Sequence, residues 1–196
     1  MLRQEGVSLV ELLIGLAVLG LVLALAIPNL TSWMENTQIR SAAESILNGV
    51  QVARAEAIRR NYQATFHLTS SSGSADWCVD TTVQSTSGNI DCSGNSGTSI
   101  NKVQSWAGSQ DKNARVGAST SSTQTYTAAL SAGAGLPASV TFDAMGHMVG
   151  TGITRIDVTN SSDSNARRLV IIISSYGLVR LCDPLLTHSS NPQGCA

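Results

Sequence analysis

One stretch limits what this chain can fold into. From Leu12 to Ile27 there is no ionisable side chain, and between Val7 and Ile27 there is only Glu11. As a helix at about 1.5 Å per residue the run is roughly 30 Å long, enough to cross a bilayer core. Three readings compete. A secretory signal peptide would end in a small-x-small site, which Ala24-Leu25-Ala26 supplies, but its apolar core is normally shorter, about 7–15 residues. A plain membrane anchor leaves Glu11 unexplained, because a carboxylate in a hydrophobic span is costly and by default has a partner. The third reading supplies that partner. Cleavage after Gly6 would give Val7 a cationic amine, and Glu11 would be placed to pair with the amine of an adjacent subunit in a helical bundle.

The segment Gly6-Val7-Ser8-Leu9-Val10-Glu11-Leu12-Leu13 resembles the class III signal of type IV pilins and pseudopilins, commonly Gly-Phe-Thr-Leu-Ile-Glu-Leu. Val7 stands for the usual Phe and Ser8 for the usual Thr. The resemblance implies cleavage after Gly6 by the prepilin peptidase and N-methylation of Val7. It also implies a role for Glu11 in registering the subunit in a filament. Pro28, which follows the run, would loosen the helix at the Ala24 carbonyl; pilins commonly carry a proline here.

Beyond Pro28 the pattern changes period. Ile39, Ala43, Ile46, Val50, Ala53 and Ala57 recur at steps of three and four, the signature of an amphipathic helix. The stripe is narrow and alanine-rich, which suits close packing on a sheet. After Asn61 the chain reads as strands: Tyr62 to Leu68, Asp76 to Asp80, Ile100 to Trp106, a hairpin over Ser139 to Val149, Arg155 to Thr159, Arg168 to Ser174 and Leu178 to Leu181. A further strand is expected near Tyr126 to Leu130. The unbroken Leu169-Val170-Ile171-Ile172-Ile173 run suggests a central position. The predicted fold class is α+β, a long N-terminal helix packed on an antiparallel β-sheet domain. The expected organisation is a leader over 1–6, a transmembrane or filament-core helix over 7–27, its amphipathic continuation over 28–61, and a periplasmic β-rich domain over 62–196.

Two further segments carry the resemblance. Gln51-Val52-Ala53-Arg54-Ala55-Glu56-Ala57-Ile58-Arg59-Arg60 is similar to the Ala-Arg-Ser-Glu-Ala segment and basic pair of the FimT/GspH minor pilin family. Gly177-Leu178-Val179-Arg180-Leu181-Cys182-Asp183-Pro184 is similar to that family's Gly-Arg-Val-Arg-(Leu/Ile)-Cys-Asp-Pro ending, with Leu178 in place of the first arginine. Residues 69–137 match nothing in the family. The resemblance implies a pilin-like fold and a low-abundance subunit near the tip of a type IV pilus that helps start assembly. A minor pseudopilin of type II secretion is the alternative, although Glu11 argues against the tip pseudopilin that typically lacks it. Some FimT-like members bind DNA through Gly-Arg-x-Arg, so a DNA-binding tip pilin is a further alternative. Its residues here would be Arg167, Arg168 and Arg180. Implied partners are other pilins or pseudopilins, the prepilin peptidase, inner-membrane lipid and, on the last alternative, DNA.

Charge and cysteine content narrow the rest. Only Arg3 among the 12 Lys/Arg, and only Glu5 and Glu11 among the 13 Asp/Glu, precede Ile27, so the remainder is neutral by formal count. A broad nucleic-acid footprint is therefore not expected. Cys78, Cys92, Cys182 and Cys195 form no Cys-x-x-Cys pair, and no histidine completes a zinc spacing. In an exported chain an even count reads as disulfides. Of three connectivities, the local pairs Cys78–Cys92 and Cys182–Cys195 are favoured, each contributing up to about 3 kcal/mol in the chain-entropy model. An enzyme reading finds no support: His67, His147 and His188 are scattered, and neither a Gly-x-Ser-x-Gly elbow nor a phosphate loop is present. No cofactor or metal is expected. The two Asn-x-Ser/Thr matches, at Asn29 and Asn160, are read as accidental.

Overall fold

A computed structural model describes residues 8–81, 102–121, 125–160 and 166–195, with the side chains of residues 25–32 and 110 left out. Gly6 and Val7, Cys92 and the sequon residues Ser161 and Ser162 lie outside the described residues. One helix, α1, runs from Leu9 to Arg60 without interruption at Pro28, 52 residues in all, or about 78 Å. Ser8 starts it: its backbone is extended and its hydroxyl accepts the Glu11 N–H at 3.2 Å. This is a side-chain N-cap, with an acid in the first turn to suit the dipole. Asn61 ends it in the left-handed conformation, φ 51°, with Arg59 and Arg60 in the last turn.

Among the described residues, two four-stranded antiparallel sheets pack against the second half of α1. The first has the order β3-β2-β1-β5, with β1 Ala64–Leu68, β2 Trp77–Asp80, β3 Lys102–Trp106 and β5 Ala138–Phe142. The second has the order β4-β6-β7-β8, with β4 Ala114–Ser119, β6 Arg155–Asn160, β7 Leu169–Ile173 and β8 Val179–Cys182. The segment just before β6 joins the sheets, the Ile153 N–H donating to Ser139 of β5 in the first and the Thr154 N–H to Ser119 of β4 in the second. As the unbroken apolar run suggests, β7 is interior to its sheet.

The six helix positions that carry the three- and four-residue period are all buried, none more than 1% exposed. They meet Phe66 and Leu68 of β1, Trp77 and Val79 of β2, and Ile156, Ile171 and Ile173 of β6 and β7 in one cluster. The alanines let the sheets approach. Closest of all is Gly49, where an added Cβ would lie 2.8 Å from Phe66 and 2.9 Å from Trp77. Trp77 satisfies its indole N–H on Ser45 Oγ at 2.9 Å, so the largest buried ring is oriented by the helix it packs on.

Two expectations fail. Tyr126 to Leu130 is not a strand, and β4, which the sequence did not announce, supplies the edge of the second sheet. Instead the 125–130 segment is a strap tied to the back of β6 and β7. Arg155 forks onto Asp157 at 2.6 and 2.7 Å and donates to the carbonyls of Thr125 and Ala128, each at 2.7 Å. Its guanidinium also lies 5.4 Å from the Tyr126 ring centre. Arg168 donates to Asp157 at 3.0 Å and to the Tyr126 carbonyl. Asp157 is fully buried and also accepts the Leu130 N–H at 3.0 Å. A buried carboxylate is tolerable only when paired and saturated with donors, as this one is. The Ser139–Val149 hairpin is present: β5 is its first arm, and the return arm is held by the Phe142–Met148 bridge and by the Val149 N–H on the Thr141 carbonyl at 2.9 Å.

Candidate assembly surface

The first half of α1 has no stripe. Every large apolar side chain described there is exposed, from Leu9 at 76% through Leu16 at 57% to Leu23 at 51%. A helix that is apolar on all faces is stable only inside a membrane or inside a larger assembly. Glu11 sits on this rod, exposed, one turn from the N-cap. Among the described residues no helix is long and apolar enough to cross a membrane.

The three arginines proposed from sequence for DNA are separated by their partners. Arg167 pairs with Asp183 at 2.8 Å, and its backbone N–H donates to Asn36 on α1. Arg168 belongs to the Asp157 cluster on the other face. Arg180 is exposed; it donates to the Cys195 carbonyl at 3.1 Å and lies 3.4 Å from His188 Nδ1. They do not form one patch of free cations. His67 lies on the polar side of β1, with Nε2 3.1 Å from the Asp80 carboxylate, both side chains 7% exposed.

The favoured pair Cys182–Cys195 is present and ties the C-terminal loop to β8. Cys78 is also disulfide-bonded; Cys92, its expected partner, lies outside the described residues. The family ending therefore folds as a strand whose last residue is stapled to the tail. Gly177 opens that strand at φ +73°, with the Gly146 carbonyl pressed so close that only glycine fits.

Residues 42–177 match the family of the type II transport protein GspH, well over half of the chain. The chain belongs to the GspH family. Residues 1–27 match the prokaryotic N-terminal methylation motif. The fold is similar to that of the type IV minor pilin FimU of Pseudomonas aeruginosa in two crystal forms. In one the TM-score is 0.54 at 17% identity, covering 84% of this chain and 99% of that one. In the other it is 0.50 at 16% identity, covering 80% and 99%. No curated protein sequence matches the chain. Fold, family and motif together make this GspH-family member a minor pilin or pseudopilin.

Proposed function

We propose that the protein is a minor pilin that enters a type IV pilus near its tip through the rod of α1 and helps to start assembly. The observation that carries this reading is the contrast within one helix: side chains bare around the whole circumference over Leu9–Leu23, then a stripe buried at 0–1% over Ile39–Ala57. The rod has no partner surface in its own chain among the described residues, so its partners are lipid before assembly and sister helices after it. Cleavage after Gly6 would expose the Val7 amine, and Glu11 would meet that amine on the neighbouring subunit, setting register. Inner-membrane anchoring through one span, with the β-domain in the periplasm, belongs to the same proposal, as does processing by the prepilin peptidase.

The description of the matched family favours a second reading, a minor pseudopilin of type II secretion. Both readings use the same rod and the same carboxylate. DNA capture is favoured less, because Arg167 and Arg168 are tied to carboxylates and Leu178, 66% exposed, occupies the position of the missing arginine.

Glu11→Ala tests the assembly reading. The variant is expected to insert in the membrane at the normal level and to be depleted from sheared filaments. Incorporation at the normal level would contradict the pairing role.

A further inference from the structure

The end of the β-domain nearest the rod carries apolar residues that its core does not use. Trp33 is 65% exposed and Met34 49%, both on α1, and Leu185 in the C-terminal loop is 81% exposed. The chain has only three tryptophans, and the other two are buried or half-buried on the first sheet. Contacts place Leu185 at the same end. Gly177 lies against Arg54 of α1, whereas Asp183 pairs with Arg167, which is held by Asn36. So β8 runs from the far end of α1 towards the rod. His188 is back beside Arg180, and Gly194 bridges Asp183. Leu185 therefore occupies the turn of the loop, on the rod side, with the Cys182–Cys195 bond holding the loop closed. Trp33 lines an open cavity of about 370 Å³ together with Asp183 and Gln193 of this loop.

We propose that Trp33, Met34 and Leu185 form a seat on which the unassembled subunit rests in the lipid interface. This rests on the reading of the apolar run as a membrane anchor. Trp33 is six residues beyond Ile27, about 9 Å further along the helix. Helical side chains lean towards the N-terminus, so the indole reaches back towards the headgroup layer. Tryptophan is the residue type enriched at that depth, apolar in body with one polar handle. The cations beside the seat are already paired, Arg40 with Glu44 and Arg167 with Asp183. The contact is therefore apolar, and zwitterionic lipid suffices. The seat fixes the tilt of the domain over the membrane, and it is uncovered when the subunit leaves the bilayer for the filament.

The test uses the full chain in zwitterionic vesicles whose acyl chains are brominated near the headgroup or near the terminal methyl. Trp77 and Trp106 supply a constant background, which Trp33→Phe measures. Leu185→Trp in the Trp33→Phe chain moves the reporter to the loop. The seat predicts loss of emission from Trp33 and from the tryptophan at position 185 with shallow bromine, little loss with deep bromine, and no recovery in high salt. A chain that floats with the vesicles while the reporter at 185 keeps its emission overturns the seat and leaves the anchor standing. Recovery in high salt overturns the apolar contact in the same way. A chain that does not float with the vesicles overturns the anchor, and the seat with it.

Discussion

The two halves of α1 use the same aliphatic chemistry to opposite ends. In the outer half, large residues such as Leu13, Ile14, Val18 and Leu19 are spread around the helix and stay more than half exposed. In the inner half, Ala42, Ala43, Ala53 and Ala57 separate Ile39, Ile46 and Val50 along one face, and all seven are buried at 0–1%. Small residues on one side let two sheets close on the helix. Large residues on all sides cannot be hidden by a single domain, and the outer half is left for a different solvent. What separates an assembly element from a core element here is the angular distribution of apolar side chains, not their number.

The comparison breaks most visibly if the same truncation is made in each half. Ile46→Ala removes a fully buried side chain and is expected to cost about 2–5 kcal/mol. Leu16→Ala should leave the denaturant midpoint of the full chain in detergent unchanged and lower its recovery in filaments. A loss of domain stability from Leu16→Ala would show that the rod belongs to the core.

A smaller contrast comes from glycine. Gly49→Ala drives a methyl into Phe66 and Trp77, an overpacking cost of about 1–3 kcal/mol, offset in part by the ~1 kcal/mol of helix propensity that alanine gains. Gly20→Ala meets nothing within 4 Å and lies outside the core, so thermal melts of the domain should not move. Equal responses at the two positions would contradict the close approach at Gly49.

An electrostatic mismatch lies against the inner half, in the segment that precedes β4. Asp111, 5% exposed, is held above the usual carboxylate range by burial, opposed by a hydrogen bond from Ser41 of α1. The folded state therefore keeps this proton longer than the unfolded chain does. Stability should fall as pH rises from the ordinary carboxylate range through the raised value. Asp111→Asn should remove that fall and melt higher than the parent at neutral pH; a lower melting temperature at neutral pH would refute it. The smallest effect is at the helix end. Glu56 is held below the usual range by hydrogen bonds from Arg59 and Arg60. Its contribution is present above the unfolded value and is lost as pH falls through the depressed one. Both arginines are well exposed, so Glu56→Gln should shift the acid side of the stability profile only slightly, and less in high salt.

The helix was legible because its apolar run is unbroken and its stripe, Ile39 to Ala57, is periodic. β7 was legible because five consecutive apolar residues leave little choice. β4 was not. Arg115-Val116-Gly117-Ala118-Ser119 offers one large apolar residue, and pairing with β6 decides its conformation. The strap at 125–130 looked like a strand because Tyr126 and Leu130 flank small residues. Its real determinants, Arg155, Asp157 and Arg168, lie 27 to 42 residues from the groups they hold. The same two-body problem hides the partners of the arginines: Arg167 and Arg168 are adjacent in sequence but serve opposite faces of the second sheet, with Asp183 and Asp157. The short-loop cysteine pairing was legible at Cys182–Cys195 because closure across a brief polar loop is local.

Intact mass and N-terminal sequencing of the mature protein from its host address the rod most directly. The account predicts a chain that begins at an N-methylated Val7 and keeps the whole apolar run. A chain trimmed behind Ala26, or one still beginning at Met1 where the processing peptidase is active, would contradict it.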